Sequence, residues 1–538
     1  MEPTRSWGGV RGGRAAGWPG AALLAGASAC GGAPPPAVVS PGDSGLADSG
    51  GGPLPSDPRV AFGPARPCDA PLPDAGWAEA SAEWAQAYTV EAPAQHTSVN
   101  PGAMALLGEG ADAVLAWVEP EGVALRRLRD GRTRRISGGA GLGGGIAALA
   151  VGDLDADGRA DLLLAGGTVS VDWAAADFDA AHPAPAALHP ARAGATTTDV
   201  AVGDLDGDGD ADLVVGWSAA APDDRAQMRA TVLLNDGGGA FAEAEIAADP
   251  SVWGPAFDFS LRDVDGDGHL DAYLCNDKGY EYAPNRLFQG DGAGGLQARS
   301  GDGLDVRYSC MGTSWGDVDA DGVLDLYLAE GAQHVVLREG AGGVWYLAAA
   351  ALGLGAPFTD GIMAWGSTLL DFDNDGRMEL VVANGDFWVR GARPRTPWWY
   401  EAGEDGVYAE IGASRGLPRE AHSRGVIGAD LNQDGVLDLL LSDAVRTPRV
   451  FLSTGCTADH WLEVEAAPGS EVLVEAGGRR YAARVDSESG WGSAGPAVAH
   501  IGLGSAARVD RLTVRAPEHD GAVVVEGFAA RRRVAIRP

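Results

Sequence analysis

The chain is 538 residues long and 45% hydrophobic, with 75 acidic against 40 basic residues and a formal net charge of −35. That length admits two or more cores, or one large closed array of repeats. The charge argues against nucleic acid and anionic membrane surfaces as partners. After the N-terminus no stretch approaches the roughly 18 consecutive apolar residues of a membrane-spanning helix.

The N-terminus places Arg5, Arg11 and Arg14 ahead of a short apolar stretch from Ala15 to Ala29, the order of an export signal. It ends Ala27-Ser28-Ala29-Cys30-Gly31. This resembles a bacterial lipoprotein signal over residues 1–29, which implies that Cys30 is lipidated and that the product is an outer-membrane lipoprotein. Ala-Ser-Ala also suits an ordinary signal peptidase, so a secreted product without a lipid is the alternative. Residues 30–94 form a linker and lead-in; as far as Pro64 they are Gly, Pro, Ser and Ala with scattered Asp and no hydrophobic period.

The segment 95–457 repeats. A nine-residue acidic loop, Asp-x-Asp-x-Asp-Gly-x-x-Asp, begins at Asp153, Asp204, Asp263, Asp317, Asp371 and Asp430, at intervals of 51 to 59 residues. Such a period belongs to propeller blades or solenoid units. Apolar residues such as Val200–Val202 lead into each loop, and alternating aliphatics such as Leu213–Val215 leave it. Gly/Asp-rich hairpins follow, as in LLNDGGGAF from Leu233. These patterns predict three to four strands per repeat and no helix. AMALLGEGADAVLAW from Ala103 aligns with the second repeat once the acidic loop is shortened, which predicts a seventh unit without ligands. The expected fold is all-β: a seven-bladed β-propeller whose first blade lacks the metal loop, then a small β-domain over 458–538.

The loops supply a ligand set. Positions one, three, five and nine are Asp153, Asp155, Asp157 and Asp161; Asp204, Asp206, Asp208 and Asp212; Asp263, Asp265, Asp267 and Asp271; Asp317, Asp319, Asp321 and Asp325; Asp371, Asp373, Asp375 and Glu379; and Asp430, Asn432, Asp434 and Asp438. Position seven (Arg159, Asp210, His269, Val323, Arg377, Val436) varies freely, as expected if only its carbonyl is used. Carboxylates at alternate positions of a tight turn offer hard oxygen ligands in a flexible cage, which suits Ca2+ better than zinc, copper or strictly octahedral Mg2+. Up to six Ca2+, one per loop and twelve charges in all, would carry the net charge from −35 to −23. Position twelve is an aliphatic strand residue every time, from Leu164 to Leu441, which removes the EF-hand, where a glutamate is needed. The competing reading is a set of solvated turns in which Asp side chains cap their own backbone. The fifth loop, with Glu379, and the sixth, with Asn432, depart most from the pattern.

The cysteines other than Cys30 are Cys68, Cys275, Cys310 and Cys456, an even number that allows three pairings or free thiols. Cys275 and Cys310 stand on adjacent repeats and could pair. Cys68 and Cys456 would then tie the lead-in to the end of the array.

The six loops and their flanking strands resemble FG-GAP/VCBS repeats, the calcium-binding blades of integrin-alpha-like propellers. In the tail, His460-Trp461-Leu462, Gly477-Gly478-Arg479, HIGLG from His500 to Gly504 and Val509-Asp510-Arg511-Leu512 resemble the ASPIC/UnbV domain. That domain follows such propellers in bacterial proteins and in the cartilage acidic protein family. The usual Asn-Arg-x-Gly-x-Gly loop is missing after Leu462, and Ala516-Pro517 replaces Trp-Pro, so no ligand role carries over to that loop.

Gly412-Ala413-Ser414-Arg415-Gly416 matches G-x-S-x-G in letters only, because it follows a hairpin and precedes Pro418 instead of a helix. The expected function is therefore an exported calcium-binding propeller, not an enzyme, that binds an extracellular protein or glycan in adhesion or surface assembly. A membrane contact is expected only through the N-terminal lipid. The alternatives are a propeller enzyme acting on extracellular polysaccharide and a purely structural scaffold. Trp253, Tyr280, Tyr282, Trp388, Trp398 and Trp399 fall outside the repeat grammar and are candidates for a binding face, with core packing the plainer role for any one of them.

Overall fold

The computed structural model describes residues 37–39, 57–80 and 102–537, less short internal stretches, the longest being 138–145, 179–184 and 387–393. The segment 1–29 expected to be an export signal, Cys30 and Trp388 lie outside the described residues. Among those described, no helix is long and apolar enough to cross a membrane.

Among the described residues, seven four-stranded antiparallel sheets follow one another along the chain as blades. Their innermost strands are Met104–Leu107, Ile146–Gly152, Ala195–Gly203, Ala256–Arg262, Cys310–Gly316, Met363–Leu370 and Ser423–Ala429. Inner strands are buried on both faces and read as unbroken apolar runs, as in Ile146-Ala-Ala-Leu-Ala-Val-Gly152, whereas the outermost strand Phe241–Ala244 is largely open to solvent. Adjacent blades share apolar cores, and the ring closes on itself. Met104, Leu106 and Leu115 of blade one pack with Ile427, Ala429 and Leu440 of blade seven in a single cluster. The unit from Ala103 is thus a full blade without an acidic loop.

The lead-in is only partly a linker. Trp77–Glu79 pairs antiparallel with Arg446–Ser453 and supplies the fourth strand of blade seven, so the two ends of the repeat array are joined within one sheet. Trp77 anchors this strand: its ring lies 4.8 Å from that of Trp399, and its Nε1–H donates to the Leu437 carbonyl at 2.9 Å. Val60–Phe62 pairs with the C-terminal strand Arg532–Ile536. Strands of three residues are too short to show a period, which is why the sequence reads as linker there. Disulfides join Cys68 to Cys456 and Cys275 to Cys310.

The C-terminal domain packs two sheets around one core that includes Leu462, Val474, Ile501, Leu512 and Val525. It sits on the face of the propeller that carries the acidic loops. His500 Nε2 and Asn374 Oδ1 of loop five are 2.7 Å apart, Arg479 donates to the Gly376 carbonyl at 3.4 Å, and Arg262 pairs with Glu471 at 3.3 Å. From this domain Gly490–Ala494 enters the channel between the inner strands. Leu149 N–H donates to the Gly492 carbonyl at 3.1 Å and Leu106 N–H to that of Ala494 at 2.9 Å. Trp491 lies 4.7 Å from Phe257 and 4.6 Å from Trp365, ring to ring. Inner strands run toward the acidic loops, and Phe257 and Trp365 stand near the beginnings of theirs. The plug therefore reaches the far mouth of the channel.

Candidate metal centres

Each acidic loop joins the innermost strand of its blade to the second. The residue before position one pairs across the ladder with position nine: Gly152 with Asp161, Gly203 with Asp212, Arg262 with Asp271, Gly316 with Asp325, Leu370 with Glu379 and Ala429 with Asp438. A carboxylate is thereby held at the root of every loop. Position six is glycine with φ between 83° and 93°, a conformation that costs glycine little. Position four is left-handed as well, with φ between 56° and 78° at Ala156, Gly207, Gly266, Ala320, Asn374 and Gln433, which glycine or asparagine signals in only three of the six loops.

These reversals turn the carboxylates inward. Position one accepts the amide of position six, as from Gly158 to Asp153 at 2.9 Å and Gly376 to Asp371 at 2.7 Å. Position nine accepts that of position two, as from Leu205 to Asp212 at 2.8 Å and Phe372 to Glu379 at 2.7 Å. Position five accepts the amide of position seven, as from Arg159 to Asp157 at 2.8 Å and Val323 to Asp321 at 2.9 Å. In the first five loops one oxygen from each of positions one, three and nine lie within 4.8 Å of one another. The groups are Asp153, Asp155 and Asp161; Asp204, Asp206 and Asp212; Asp263, Asp265 and Asp271; Asp317, Asp319 and Asp325; and Asp371, Asp373 and Glu379. Position five, expected to be a fourth ligand, stands outside these groups (Asp157, Asp208, Asp267, Asp321 and Asp375), and one of its oxygens accepts the position-seven amide.

The donor set fits a divalent cation. Asp371 Oδ1, Asp373 Oδ1 and Glu379 Oε1 of loop five are buried without any hydrogen-bond partner, as is Asp206 Oδ1 of loop two. Unpaired buried carboxylate oxygens are costly, and a hard cation would satisfy all three in loop five together. Burial above all pushes Asp161, Asp212, Asp271 and Asp373 up to about 7 and Asp325 up to about 8. Burial, and after it the neighbouring carboxylates, hold Asp371 and Glu379 well above the carboxylate range. Thus Glu379, which departs from the repeated Asp, belongs to the most buried group. In loop four Arg338 contacts Asp319, Asp321 at 3.1 Å and Asp325 at 3.4 Å, so a cation there competes with a guanidinium.

Loop six has the same backbone but a different interior. Asn432 Nδ2 donates to Asp434 Oδ2 at 3.0 Å and to Ser453 Oγ at 2.9 Å, Ser453 N–H donates to Asp438 at 2.6 Å, and Val436 N–H donates to Asp434 at 2.9 Å. Arg66 of the lead-in donates to Asp430 Oδ2 at 2.9 Å.

The aromatic residues singled out in the sequence separate clearly. Trp253 and Trp399 are core residues, and Trp398 packs against His334 with rings 5.4 Å apart. Tyr280 is 63% exposed, between the second and third strands of blade four, and strand connectivity puts that loop on the face opposite the acidic loops. Ser414 sits in a turn with its hydroxyl donating to the Ile411 carbonyl at 2.7 Å. Arg66 and Trp491 escaped sequence reasoning; the one local signal for the latter is a tryptophan between two glycines.

Residues 263–328 and 371–441 match the FG-GAP-like repeat family, and residues 463–538 match the ASPIC and UnbV family. No curated protein matches the sequence. Solved structures with distant likeness include a lectin of Agrocybe aegerita that recognises non-reducing terminal N-acetylglucosamine (17% identity, 64% of this chain and 85% of that one, TM-score 0.39). Others are the rhamnogalacturonan lyase YesW (14%, 69% and 76%, 0.40) and the Dos1 propeller (9%, 70% and 97%, 0.37). The chain thus carries FG-GAP-like repeats in an all-β propeller, closed at its C-terminus by an ASPIC/UnbV domain.

Proposed function

We propose that the protein is an exported propeller stabilised by Ca2+ in its acidic loops, and that it binds an extracellular protein or glycan through the face opposite those loops. The observation that carries the calcium reading is the loop-five group, where three buried carboxylate oxygens have no partner within the protein. The same geometry separates metal from function. The C-terminal domain contacts the loop face at blades one and four to seven, and Trp491 packs against Phe257 and Trp365 in the channel, so in this reading the cations hold the covered face of the scaffold and binding falls to the other. On that face Tyr280 stands beside Lys278, the chain's single lysine, whose Nζ lies 6.0 Å from the Tyr282 ring centroid. Two disulfides suit an oxidising compartment, in keeping with export as a lipoprotein or a secreted protein.

The test is a glycan array together with a pull-down from intact cells, run with wild type and Tyr280→Ala in calcium. Retention of one ligand class that weakens in the variant, with the ligand recovered intact, is the expected result. Recovery of shortened glycan products would replace this reading with that of a polysaccharide-cleaving enzyme.

A further inference from the structure

The segment His500-Ile501-Gly502-Leu503-Gly504 ends the strand Val498–Gly504 of the C-terminal domain. Successive side chains of a strand point to opposite faces. Ile501 and Leu503 are buried in the core of that domain, which leaves His500, Gly502 and Gly504 to face the propeller. All three meet loop five. His500 Nε2 lies 2.7 Å from Asn374 Oδ1, and Gly504 N–H donates to the Asn374 carbonyl at 2.9 Å. A Cβ at Gly502 would run into Asp371 Oδ2 and lie 2.7 Å from Asn374 Cα, and one at Gly504 would lie 3.0 Å from the Asp375 carbonyl oxygen. The two glycines therefore let this backbone rest directly on the loop.

The remaining approaches to loop five are closed as well. A Cβ on Gly376, at position six, would lie 3.1 Å from Arg479 Nη1 and 3.1 Å from Tyr481 Cε1, both of the C-terminal domain. Asp371 is 2% and Glu379 1% exposed. Asp373 keeps 13% of its side chain exposed, and there Arg415 Nη2 lies 3.1 Å from its Oδ2. Its Oδ1, like Asp371 Oδ1 and Glu379 Oε1, is buried without a partner. The other loops are more open. In loops one to three a Cβ at Gly158, Gly207, Gly266 or Gly268 would meet nothing within 4 Å. At position three, Asp265 and Asp319 are 23% and 27% exposed at the side chain. In loop six Trp461 packs against Gly435, but Asn432 at position three is exposed.

We infer that the loop-five site is shared between two domains: blade six supplies the carboxylates, the segment from His500 to Gly504 is the lid, and a cation held there leaves only when the C-terminal domain lifts. The inference rests on the calcium reading of the loops, and adds that the bound ions fall into two kinetic classes. Toward the C-terminal domain an ion leaving loop five meets backbone, and past Asp373 it meets a guanidinium. From loops one to three it passes straight to solvent. The coupling is reciprocal, since a site completed by the lid also holds the lid down. It gives Gly502 and Gly504 a task that the core of their own domain does not set.

Calcium exchange on the full chain tests it. The protein is loaded with radiolabelled Ca2+ and chased with excess unlabelled Ca2+. One ion per chain should leave slower than the others by about tenfold or more, a barrier higher by about 1.4 kcal/mol. Glu379→Gln should abolish the slow ion and spare the fast ones, while Asp204→Asn should remove a fast ion and spare the slow one. Gly502→Ala, which forces the lid off Asp371, should bring the slow ion into the fast class. Should that variant fail to fold, His500→Ala, which loosens the lid at Asn374, is read in the same way. A single rate for all ions in the wild type would overturn the inference. So would a slow ion that survives Glu379→Gln, or one whose release is unchanged in the folded lid variant. A wild type that binds no calcium would refute the reading beneath it, a separately recognisable result.

Discussion

Glu379→Gln should change the protein's stability in opposite directions with and without calcium. Gln preserves the shape of the side chain and can still accept the Phe372 amide that now bonds Glu379 Oε2 at 2.7 Å. What it removes is one charge from a group whose oxygens lie within 4.8 Å of one another. Two unit charges at that separation repel by about 3 kcal/mol at an effective dielectric of about 20. Burial and these neighbours hold Glu379 and Asp371 well above the carboxylate range and push Asp373 up to about 7, so without metal the folded chain keeps part of the group protonated at a cost that Gln avoids. A gain of about 2 kcal/mol in EDTA follows at pH 8. In calcium the same change disables a site that stabilises the fold by about 2.7 kcal/mol when free ligand is a hundredfold above Kd. Differential scanning calorimetry in excess EDTA and in saturating calcium should therefore show Tm of the variant above wild type in the first and below it in the second. An equal loss in both would show that Glu379 acts through packing, and would refute the charge argument.

Trp491→Ala should cost about 3 kcal/mol, near the low end for a buried tryptophan because its Nε1 has no hydrogen-bond partner to lose. Limited proteolysis should then cut near the plug while the blades stay protected, and an uncut chain would argue that the plug is held by its backbone bonds alone. His334 tests acid stability. Burial lowers its pKa to about 4, while Tyr327 and Tyr400 hydroxyls sit 2.8 and 3.0 Å from its ring nitrogens. The unfolded chain takes up that proton below about 6.5 and the folded one only near 4, so stability falls as pH drops through this window, by up to about 3 kcal/mol. Urea midpoints between pH 7 and 4 should decline less steeply in His334→Gln, and parallel declines would remove His334 from the account.

The acidic loops were legible in the sequence because the same backbone problem is solved six times. Carboxylates recur at the positions that cap amides or face inward, and glycine recurs where φ must be positive. The loopless unit was legible too, since Met104–Leu107 and Val114–Glu119 keep the apolar runs of a blade after the ligands are gone. Loop interiors were less so: Glu379 looked like a departure, yet its longer side chain reaches the most buried group. Contacts made at long range left no local trace. Arg66 is one arginine in a segment without a period, and its partner Asp430 is 364 residues away. Trp77 begins a strand of only three residues, and aromatic content alone could not separate the exposed Tyr280 from the buried Trp399.

Because Trp77–Glu79 completes the blade built from residues 423–453, the first and last parts of the propeller are needed in the same sheet. The seam cannot form until the end of the array has left the ribosome, and Cys68 cannot find its partner before Cys456 exists. Early blades then wait as open sheets with one uncovered inner flank, and closure is a late, long-range step of the slow kind. Under the export proposed above, this delay would have a use: a ring whose fastening lies at its two ends remains threadable until nearly all of it has been made.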